Sequence, residues 1–273
     1  MTDFDTIERR QWAGKADAYA GSFAKLCAHT VHHLLDAAGV GPGVRLLDVG
    51  TGTGTVAATA CARGAVVSAV DAEPSMVAAA SRRAPQADVR LACVPDLPFT
   101  DAAFDAVTGN FVLNHVGRPR AGLAELARVV RPGGRVALSI WESPGGTGRD
   151  LLPRALREAG VRPPGGPVRV EPAEDFPRTA EGFAHLLTAA GLADVHCEPV
   201  AIAHRTTLEE WWSGTAAGVA STGQLLVRQP PQKAAEVRRH YEALSAEFAD
   251  ADGGLVLPHV ALVACGRVPR QDG

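Results

Sequence analysis

The first half of the chain alternates short apolar runs with amphipathic segments, and glycine or proline ends most of them. Apolar residues recur at helical spacing over 22–38, which predicts a helix that ends at Gly39. Strands are predicted at 45–49, 65–70, 89–93, 104–108 and 135–141, and helices between them at 55–62, 74–83 and around 123–130. Strands that alternate with helices are typical of βαβ units, so we expect a parallel sheet covered on both faces.

The second half of the chain is less regular. Residues 143–178 are dense in proline and glycine and hold one predicted helix near 150–159. The other predicted elements are a helix at 179–190, strands at 195–204 and 255–268, and two polar helices at 208–227 and 232–249. Because the two polar helices are too small to form a core of their own, we predict that they form a lid on the sheet.

These elements predict one α/β domain, a doubly wound, seven-stranded, mostly parallel sheet with an N-terminal helical segment and a helical lid insertion. The predicted parts of residues 1–273 are the N-terminal helices (1–40), the cofactor-binding core (41–142), a loop, helix and strand (143–206), the lid (207–250) and the final strand (251–273). A chain of this length buries about 70–75% of its unfolded surface, so it needs no disulfide or metal to fold.

Composition excludes several classes of protein. The net charge is 27 − 30 = −3, which argues against a nucleic-acid partner because phosphate binding needs a cationic face. No apolar run approaches the roughly 18–20 residues of a membrane helix, and the first residues are polar with no apolar signal core. The five cysteines are scattered without a CxxC pair, so neither disulfides nor a metal site is indicated. We therefore expect a cytoplasmic protein with no metal and no membrane partner.

The sequence DVGTGTG at 48–54 follows the first predicted strand. Its alternate glycines let a ligand approach the backbone where a Cβ would collide, and the helix that follows offers its N-terminal N–H groups to an anionic group. Asp48 can accept a hydrogen bond from an ammonium group, directly or through water. Asp71 ends the next predicted strand, 21 residues after Gly50, where a carboxylate can accept from two ribose hydroxyls.

Two cofactors fit such a loop. The dinucleotide fingerprint G-x-G-x-x-G would need glycine at position 55, where this chain has Thr55. The spacing G-x-G-x-G after an acidic residue favours an amino-acid-bearing nucleoside over a pyrophosphate. A tight turn without any ligand is the remaining interpretation.

At these residues the sequence resembles the class I S-adenosylmethionine-dependent methyltransferases, and closely the small-molecule subgroup of the ubiquinone and menaquinone-biosynthesis type (methyltransferase type 11). The resemblance covers roughly residues 12–142. It rests on five motifs in order, LLDVGTGTG at 46–54, VDAEPSM at 70–76, LPF at 97–99, FDAV at 104–107 and RVVRPGG at 128–134. It implies a Rossmann-like fold and S-adenosyl-L-methionine as the cofactor.

The resemblance also implies the residues that bind this cofactor. The loop residues Gly50, Thr51, Gly52 and Gly54 would wrap the methionine moiety, and Asp71 would hold the ribose. Met76 or the nearby Ala72 would pack on the adenine. Asn110 and Phe111 would supply backbone near the methionine carbonyl and the sulfonium. Tyr19, in the N-terminal helical segment, either touches the methionine end or packs without contacting the cofactor.

One departure from the family pattern affects the adenine end. The family commonly has Gly-Asp-Ala before its Leu-Pro-Phe, and here residues 92–94 are Ala-Cys-Val, so that carboxylate is missing. Either Asp96 reaches the adenine amino group, or the backbone around Cys93 and Val94 does so. A lost hydrogen bond costs about 0.5–1.5 kcal/mol, so cofactor binding can survive the change.

His115 is the predicted catalytic residue. It lies five residues after Asn110, at the carboxyl edge of the sheet where ligands of open α/β folds bind, and histidine is the usual general base for a phenol or alcohol acceptor. Its alternative role is that of a structural loop histidine. His204, near the lid, is a weaker candidate for contact with the acceptor, and His29 is expected on a solvated helix face.

The predicted function is methyl transfer from S-adenosylmethionine to a small apolar or aromatic metabolite, in a setting such as natural-product biosynthesis. Trp141, Trp211 and Trp212 could pack on an apolar acceptor or flank the sulfonium, and packing between helix and sheet is their alternative role. At most one of the adjacent Trp211 and Trp212 faces the pocket, because neighbouring residues on a helix point about 100° apart. Two alternatives remain, an NAD(P)-dependent oxidoreductase on a related sheet, or a methyltransferase-fold protein that binds the cofactor and catalyses a non-methyl reaction.

Overall fold

The computed structural model describes residues 2–163 and 169–270. Its sheet has the strand order β3-β2-β1-β4-β5-β7-β6. The strands are β1 (Arg45–Val49), β2 (Val66–Asp71), β3 (Asp88–Leu91), β4 (Phe104–Asn110), β5 (Val130–Trp141), β6 (Ala193–Thr206) and β7 (Leu255–Arg267). Neighbouring strands from β3 to β5 are parallel, and β7 runs antiparallel to both β5 and β6. The predicted seven-stranded, mostly parallel sheet is therefore confirmed, with a mixed edge.

The helices cover both faces of the sheet, as the continuous apolar strands require. The helices are α1 (Asp3–Trp12), α2 (Ala16–Ala20), α3 (Phe23–Cys27), α4 (Val31–Ala37), α5 (Thr55–Ala62), α6 (Pro74–Arg83), α7 (Pro119–Val129), α8 (Thr147–Glu158), α9 (Ala180–Ala189), α10 (Leu208–Ala216), α11 (Ala220–Val227) and α12 (Pro231–Ser245). In β1, Leu46 packs in the same core as Ala57 of α5, whereas Leu47 packs on the other face with Leu123 of α7. Successive side chains of a strand point to opposite faces, so both leucines are fully buried.

The predicted continuous helix over 22–38 is wrong at its centre. A 3₁₀ turn at Ala28–Thr30 separates α3 from α4. The carbonyl oxygen of Cys27 accepts from Asn110 Nδ2 at 3.0 Å and lies 2.9 Å from Thr30 Oγ1, whose single proton it shares with Asn110 Oδ1. Side chains that bond a backbone carbonyl compete with the helical pattern, and here they fasten the N-terminal helices to the end of β4.

The predicted lid also differs from the observed helices. The helix expected over 208–227 is two helices, because Gly218 adopts a left-handed backbone (φ +77°) after α10. The following helix, α12, packs on α8, and its Tyr241 is fully buried and donates its hydroxyl to the carbonyl of Leu208 at 2.8 Å. Helix α12 is therefore part of the core of the domain, and α10 and α11 are the lid helices that reach the site described next.

Candidate active site

A cavity of about 1270 Å³ lies at the carboxyl ends of β1, β2, β4 and β5. Its walls come from α1, from the loop after β1, and from parts of α8, α10 and α11. The carboxyl edge is where open α/β sheets bind ligands, because the loops that follow the strands leave a crevice there. All of the predicted site residues line this cavity except Asp48, Thr51 and Gly54.

The glycines of the loop after β1 adopt conformations that other residues rarely reach. Gly50, Gly52 and Gly54 have φ values of +65°, +55° and +83°. A Cβ on Gly50 would lie 2.6 Å from Val112, and one on Gly54 would lie 2.8 Å from the backbone of Ala80, so these two glycines allow close internal packing. A Cβ on Gly52 would meet the ring of Tyr19 alone, at 3.5 Å, so the backbone at this position faces open space in the cavity. The loop fits a ligand that lies against bare backbone.

Asp71 is held at the end of β2 by two backbone donors. Its Oδ2 accepts from the N–H of Gly52 at 2.8 Å, and its Oδ1 accepts from the N–H of Glu73 at 3.0 Å. Burial raises the pKa of this carboxyl. Each carboxylate oxygen has a further lone pair, so both can still accept from a ligand hydroxyl. Ala72 and Met76 line the same part of the cavity, on the side of α6.

Asp48 lies beneath the loop and does not line the cavity. It is 1% exposed, and its two oxygens accept from the hydroxyls of Thr51 at 2.7 Å and Thr108 at 3.0 Å. Burial raises the pKa of Asp48 to about 7, although the threonine hydroxyls act in the opposite direction. In this structure Asp48 therefore orders the loop from below, and an ammonium group of a ligand reaches it only through an intervening group.

The turn after β3 forms the wall at the predicted adenine end. Cys93, Val94 and Asp96 line the cavity, and the N–H of Asp96 donates to the carbonyl of Cys93 at 3.1 Å. Arg9 of α1 donates from Nη2 to the Cys93 sulfur at 2.8 Å. The side chain of Asp96 is exposed at this wall. The two candidate acceptors for the adenine amino group, the Asp96 carboxylate and the backbone at 93–94, thus lie at the same wall.

Helix α1 closes one side of the cavity and contacts His115. The imidazole Nδ1 of His115 lies 2.7 Å from Oε2 of Glu8. The indole ring of Trp12 makes edge contacts with the rings of His115 and Tyr19, with centroids 5.2 Å and 5.4 Å apart. Since a carboxylate accepts only, the proton belongs on Nδ1 of neutral His115, and Nε2 carries the lone pair.

Asn110 and Phe111 lie where β4 ends, and their side chains have different roles. The Asn110 side chain is occupied by protein partners, because Oδ1 accepts from Thr30 Oγ1 at 2.7 Å and from Ser139 Oγ at 2.6 Å. Phe111 has a left-handed backbone (φ +60°), and its ring stacks on Trp141 with centroids 4.1 Å apart. Asn110 therefore fixes the shape of the site. The rings of Phe111, Trp141, Trp211 and His259 lie side by side and form an aromatic wall of the cavity.

The aromatic wall includes residues that sequence analysis missed. His259 of β7 lies between Trp141 and Trp211, with ring centroids 5.7 Å and 5.6 Å away, and burial lowers its pKa to about 4. Its Nδ1 lies 2.9 Å from the carbonyl of Leu257, so Nε2 carries the lone pair. Within the described residues, His259 Nε2 and Trp211 Nε1 are buried without a hydrogen-bond partner. A lone histidine in an apolar strand gave no sequence signal for this position.

The weaker predicted contact of His204 with the acceptor is not formed, because His204 is buried outside the cavity with Nδ1 3.2 Å from Nε2 of His29. His29 itself is exposed, as predicted. Trp212 packs on Tyr241 with ring centroids 5.1 Å apart, whereas its neighbour Trp211 lines the cavity. Across residues 2–163 and 169–270, no cluster of three or more His, Cys, Asp or Glu side chains is arranged to hold a metal ion. In the same residues, no helix combines the length and apolar character that a membrane crossing requires.

Comparison with known proteins connects this geometry to a family. A family model described as a methyltransferase domain matches residues 47–138. The demethylmenaquinone methyltransferase of Beutenbergia cavernae is 43% identical over 110 residues, which are 40% of this chain and 46% of that protein. The chain thus spans slightly under half the length of the demethylmenaquinone methyltransferases it first matches.

Two further proteins match over most of the chain. An uncharacterized protein of Mycobacterium tuberculosis is 31% identical over 248 residues, which are 85% of this chain and 84% of that protein. Phosphoethanolamine N-methyltransferase 2 of Haemonchus contortus, solved with phosphomonomethylethanolamine and S-adenosylhomocysteine, shares the fold with a TM-score of 0.59 at 16% identity, over 99% of this chain and 61% of that chain. From the matching domain, these relatives and the loop geometry, the chain belongs to the class I S-adenosylmethionine-dependent methyltransferases of the menaquinone-biosynthesis-like type, a family whose cofactor is S-adenosylmethionine.

Proposed function

We propose that the protein transfers the methyl group of S-adenosylmethionine to a small aromatic or apolar metabolite. The observation that carries this proposal is one continuous cavity with two different ends. Gly52 and Asp71 lie at one end, and Phe111, Trp141 and Trp211 line the other. Ligand sites commonly measure about 300–1,000 Å³, so a cavity of about 1270 Å³ has room for a nucleoside cofactor and a second small molecule.

The cofactor end fits the shape and charge of S-adenosylmethionine. The bare backbone at Gly52 leaves room for the methionine moiety, and the two oxygens of Asp71 can accept from ribose hydroxyls. Met76 is 3% exposed and offers an apolar surface to an adenine ring. This arrangement supports the assignments that the family resemblance implies for these residues.

The acceptor end fits a flat apolar molecule. Trp141 and Trp211 present indole rings there, and aromatic rings stack favourably on such surfaces. The likeness to demethylmenaquinone methyltransferases supports an aromatic acceptor, and for one from a Mycobacterium species it extends over 172 residues, 72% of that protein, at 36% identity. The setting that we propose is cytoplasmic small-molecule metabolism, natural-product biosynthesis included.

The residues of this chain have three tasks in the proposed reaction. S-Adenosylmethionine supplies an electrophilic methyl group on a sulfonium, which reacts by in-line displacement. The cavity walls align the acceptor with that group, and alignment accounts for much of the rate in such reactions. Helix α1 excludes water from one side. His115 Nε2 accepts the proton of an acceptor hydroxyl, while Glu8 orients the ring through Nδ1.

Two measurements test the proposal. Calorimetric titration with S-adenosylmethionine, S-adenosylhomocysteine and NADPH is expected to show binding of the first two ligands and not of the third. Incubation with S-adenosylmethionine and a panel of phenols, quinols and hydroxylated aromatic acids is then expected to yield S-adenosylhomocysteine and a methylated product by mass spectrometry. Absence of binding at millimolar S-adenosylhomocysteine contradicts the proposal. Turnover of a substrate with the cofactor left intact favours a non-methyl reaction.

A further inference from the structure

Arg149 carries a positive charge at the aromatic end of the cavity. It lies in the first turn of α8, where its side chain is exposed to the cavity. The guanidinium carbon lies 5.7 Å from the ring centroid of Trp141, and Nη1 donates to the carbonyl of Glu142 at 3.0 Å. One of its five N–H donors is therefore used by the protein in this contact, and others are directed to neighbouring space.

Arg149 differs from the other arginines of its helix. Arg154 and Arg157 face solvent, and each is paired with a carboxylate, Glu247 and Asp150 respectively, with N–O distances of 2.8 Å. No carboxylate of the described residues lies within ion-pair distance of Arg149. The surrounding protein lowers the pKa of Arg149 by desolvation, but a guanidinium stays charged in proteins. The cavity therefore contains a cation that the protein itself does not neutralise.

The two ends of the cavity differ in charge. The carboxylates of Asp71, Glu73 and Asp96 lie at the cofactor end, together with the guanidinium of Arg9 on the Cys93 sulfur, and a sulfonium-bearing ligand gains from the negative charge of Asp71. Arg178 and Asp175 also line the cavity, and this ion pair, 2.5 Å apart, is neutral as a pair. An anionic group is thus favoured next to Arg149 and disfavoured next to Asp71.

Two buried polar atoms belong to the same end. Trp211 Nε1 is a donor and His259 Nε2 an acceptor, and neither has a partner among the described residues. His259 contacts both Trp141 and Trp211, so these rings and Arg149 form one continuous surface. A buried polar atom without a partner is costly, so a ligand that supplies the missing acceptor and donor gains affinity there.

We infer that the acceptor is an aromatic carboxylic acid whose carboxylate is anchored by the guanidinium of Arg149, with its ring on Trp141. This inference rests on the proposed function and names the substrate class of the same site. Arg149 is then a specificity-determining residue, because a guanidinium holds a carboxylate through two parallel hydrogen bonds. The carboxylate serves as the anchor, and a hydroxyl elsewhere on the ring can pair with His259 Nε2 or be presented for methylation.

The test uses a matched acid and amide. The full chain, saturated with S-adenosylhomocysteine, is titrated with 1-hydroxy-2-naphthoate and with the neutral 1-hydroxy-2-naphthamide. The wild-type protein is expected to bind the acid about tenfold or more tightly than the amide, as expected for charge-assisted pairing. Arg149→Gln is expected to reduce that preference to about twofold or less. Arg157→Gln, on the same helix and outside the cavity, is the control and keeps the full preference.

The outcomes separate the inference from the proposed function. Equal affinity for acid and amide in the wild-type protein overturns the inference, and so does an unchanged preference in Arg149→Gln or no binding of the acid at millimolar concentration. The proposed function fails separately if S-adenosylhomocysteine does not bind the wild-type chain. Unchanged affinity of Arg149→Gln for S-adenosylhomocysteine shows that this variant is folded.

Discussion

The backbone N–H of Gly52 donates a 2.8 Å hydrogen bond to Oδ2 of Asp71. This bond joins the loop after β1 to the end of β2, next to the paired residues Val49 and Val70. The two groups that we assign to the methionine and ribose of the cofactor are thereby fixed relative to each other. A change at either residue is expected to affect cofactor binding before it affects the stability of the sheet.

Asp71→Asn tests whether the Asp71 carboxylate binds the ribose hydroxyls of the cofactor. The amide nitrogen cannot accept a hydrogen bond, so the variant loses an acceptor for Gly52 or for a ribose hydroxyl. We expect S-adenosylhomocysteine to bind about 10-fold to 100-fold more weakly, from one charge-assisted hydrogen bond of about 1.5–3 kcal/mol. Calorimetry measures this change. Asp88→Asn, an exposed residue of β3 paired with Arg90, is the control and keeps wild-type affinity.

Gly52→Val tests whether the loop after β1 binds the methionine moiety of the cofactor. A side chain at this position would project toward Tyr19 and fill the open side of the loop. Binding of S-adenosylhomocysteine is expected to fall by at least about a hundredfold, from the filled space and from a left-handed backbone that costs roughly 1–2 kcal/mol for valine. Gly191→Val is the matched control, because Gly191 also has positive φ (+85°) but lies in open space. Wild-type affinity for S-adenosylhomocysteine in Gly52→Val would refute the assignment of this loop to the methionine moiety.

Asp96→Ala tests which group accepts from the adenine amino group. If the Asp96 carboxylate accepts from it, the wild-type protein prefers S-adenosylhomocysteine over S-inosylhomocysteine by about twofold to tenfold, the value of one hydrogen bond. The variant has no side-chain acceptor and is expected to lose this preference, as measured by competitive titration. Asp101→Ala, on the surface beside Arg128, should keep it. A preference that survives in Asp96→Ala assigns the amino group to the backbone at Cys93 and Val94.

His115→Gln tests proton transfer during methylation of a hydroxyl. We expect kcat to fall by about 10²-fold to 10⁴-fold with the affinity for S-adenosylhomocysteine unchanged, because general-base catalysis contributes that much. Glu8→Gln is expected to reduce kcat less, since it leaves the imidazole in place and removes only its orienting partner. His185→Gln, on an exposed position of α9, is the control. Unchanged kcat with a lowered melting temperature would make His115 a structural loop residue.

Asp48→Asn tests the buried carboxyl under the loop. Burial raises the pKa of Asp48 from 3.8 to about 7, so between these values the folded protein holds a proton that the unfolded chain has lost. The contribution of Asp48 to the free energy of unfolding is therefore present at low pH and falls as pH rises toward 7, by at most about 1.4 kcal/mol per pH unit. Asparagine has no such proton. Urea unfolding from pH 5 to 7.5 should show the wild-type protein losing stability relative to the variant, and parallel profiles would contradict this.

The first half of the fold could be predicted from the sequence because its signals are local. The apolar run at 45–49 and the glycines that follow define β1 and the loop, and Pro74 marks the first turn of α6 as it does in the structure. The two closing strands were also predicted, since they are long and apolar. Each of these elements is specified by residues within its own segment.

The acceptor end could not be predicted because long-range packing forms it. Arg149 and His259 are separated by 110 positions, and the packing of α8 on β7 brings them to one wall. The break at Ala28–Thr30 likewise depends on Asn110, which lies 80 residues after Thr30. The position of Asp48 beneath the loop depends on Thr108 of β4. None of these partners can be identified from spacing along the chain.

A crystal structure of the chain grown with S-adenosylhomocysteine tests the central claim most directly. We predict density for the ribose within hydrogen-bond distance of the Asp71 carboxylate, the homocysteine along the backbone of Gly50–Gly54, and the sulfur facing the cavity that ends at Trp141. Density for this ligand in another part of the molecule would contradict the account, as would a dinucleotide pyrophosphate bound over the same loop.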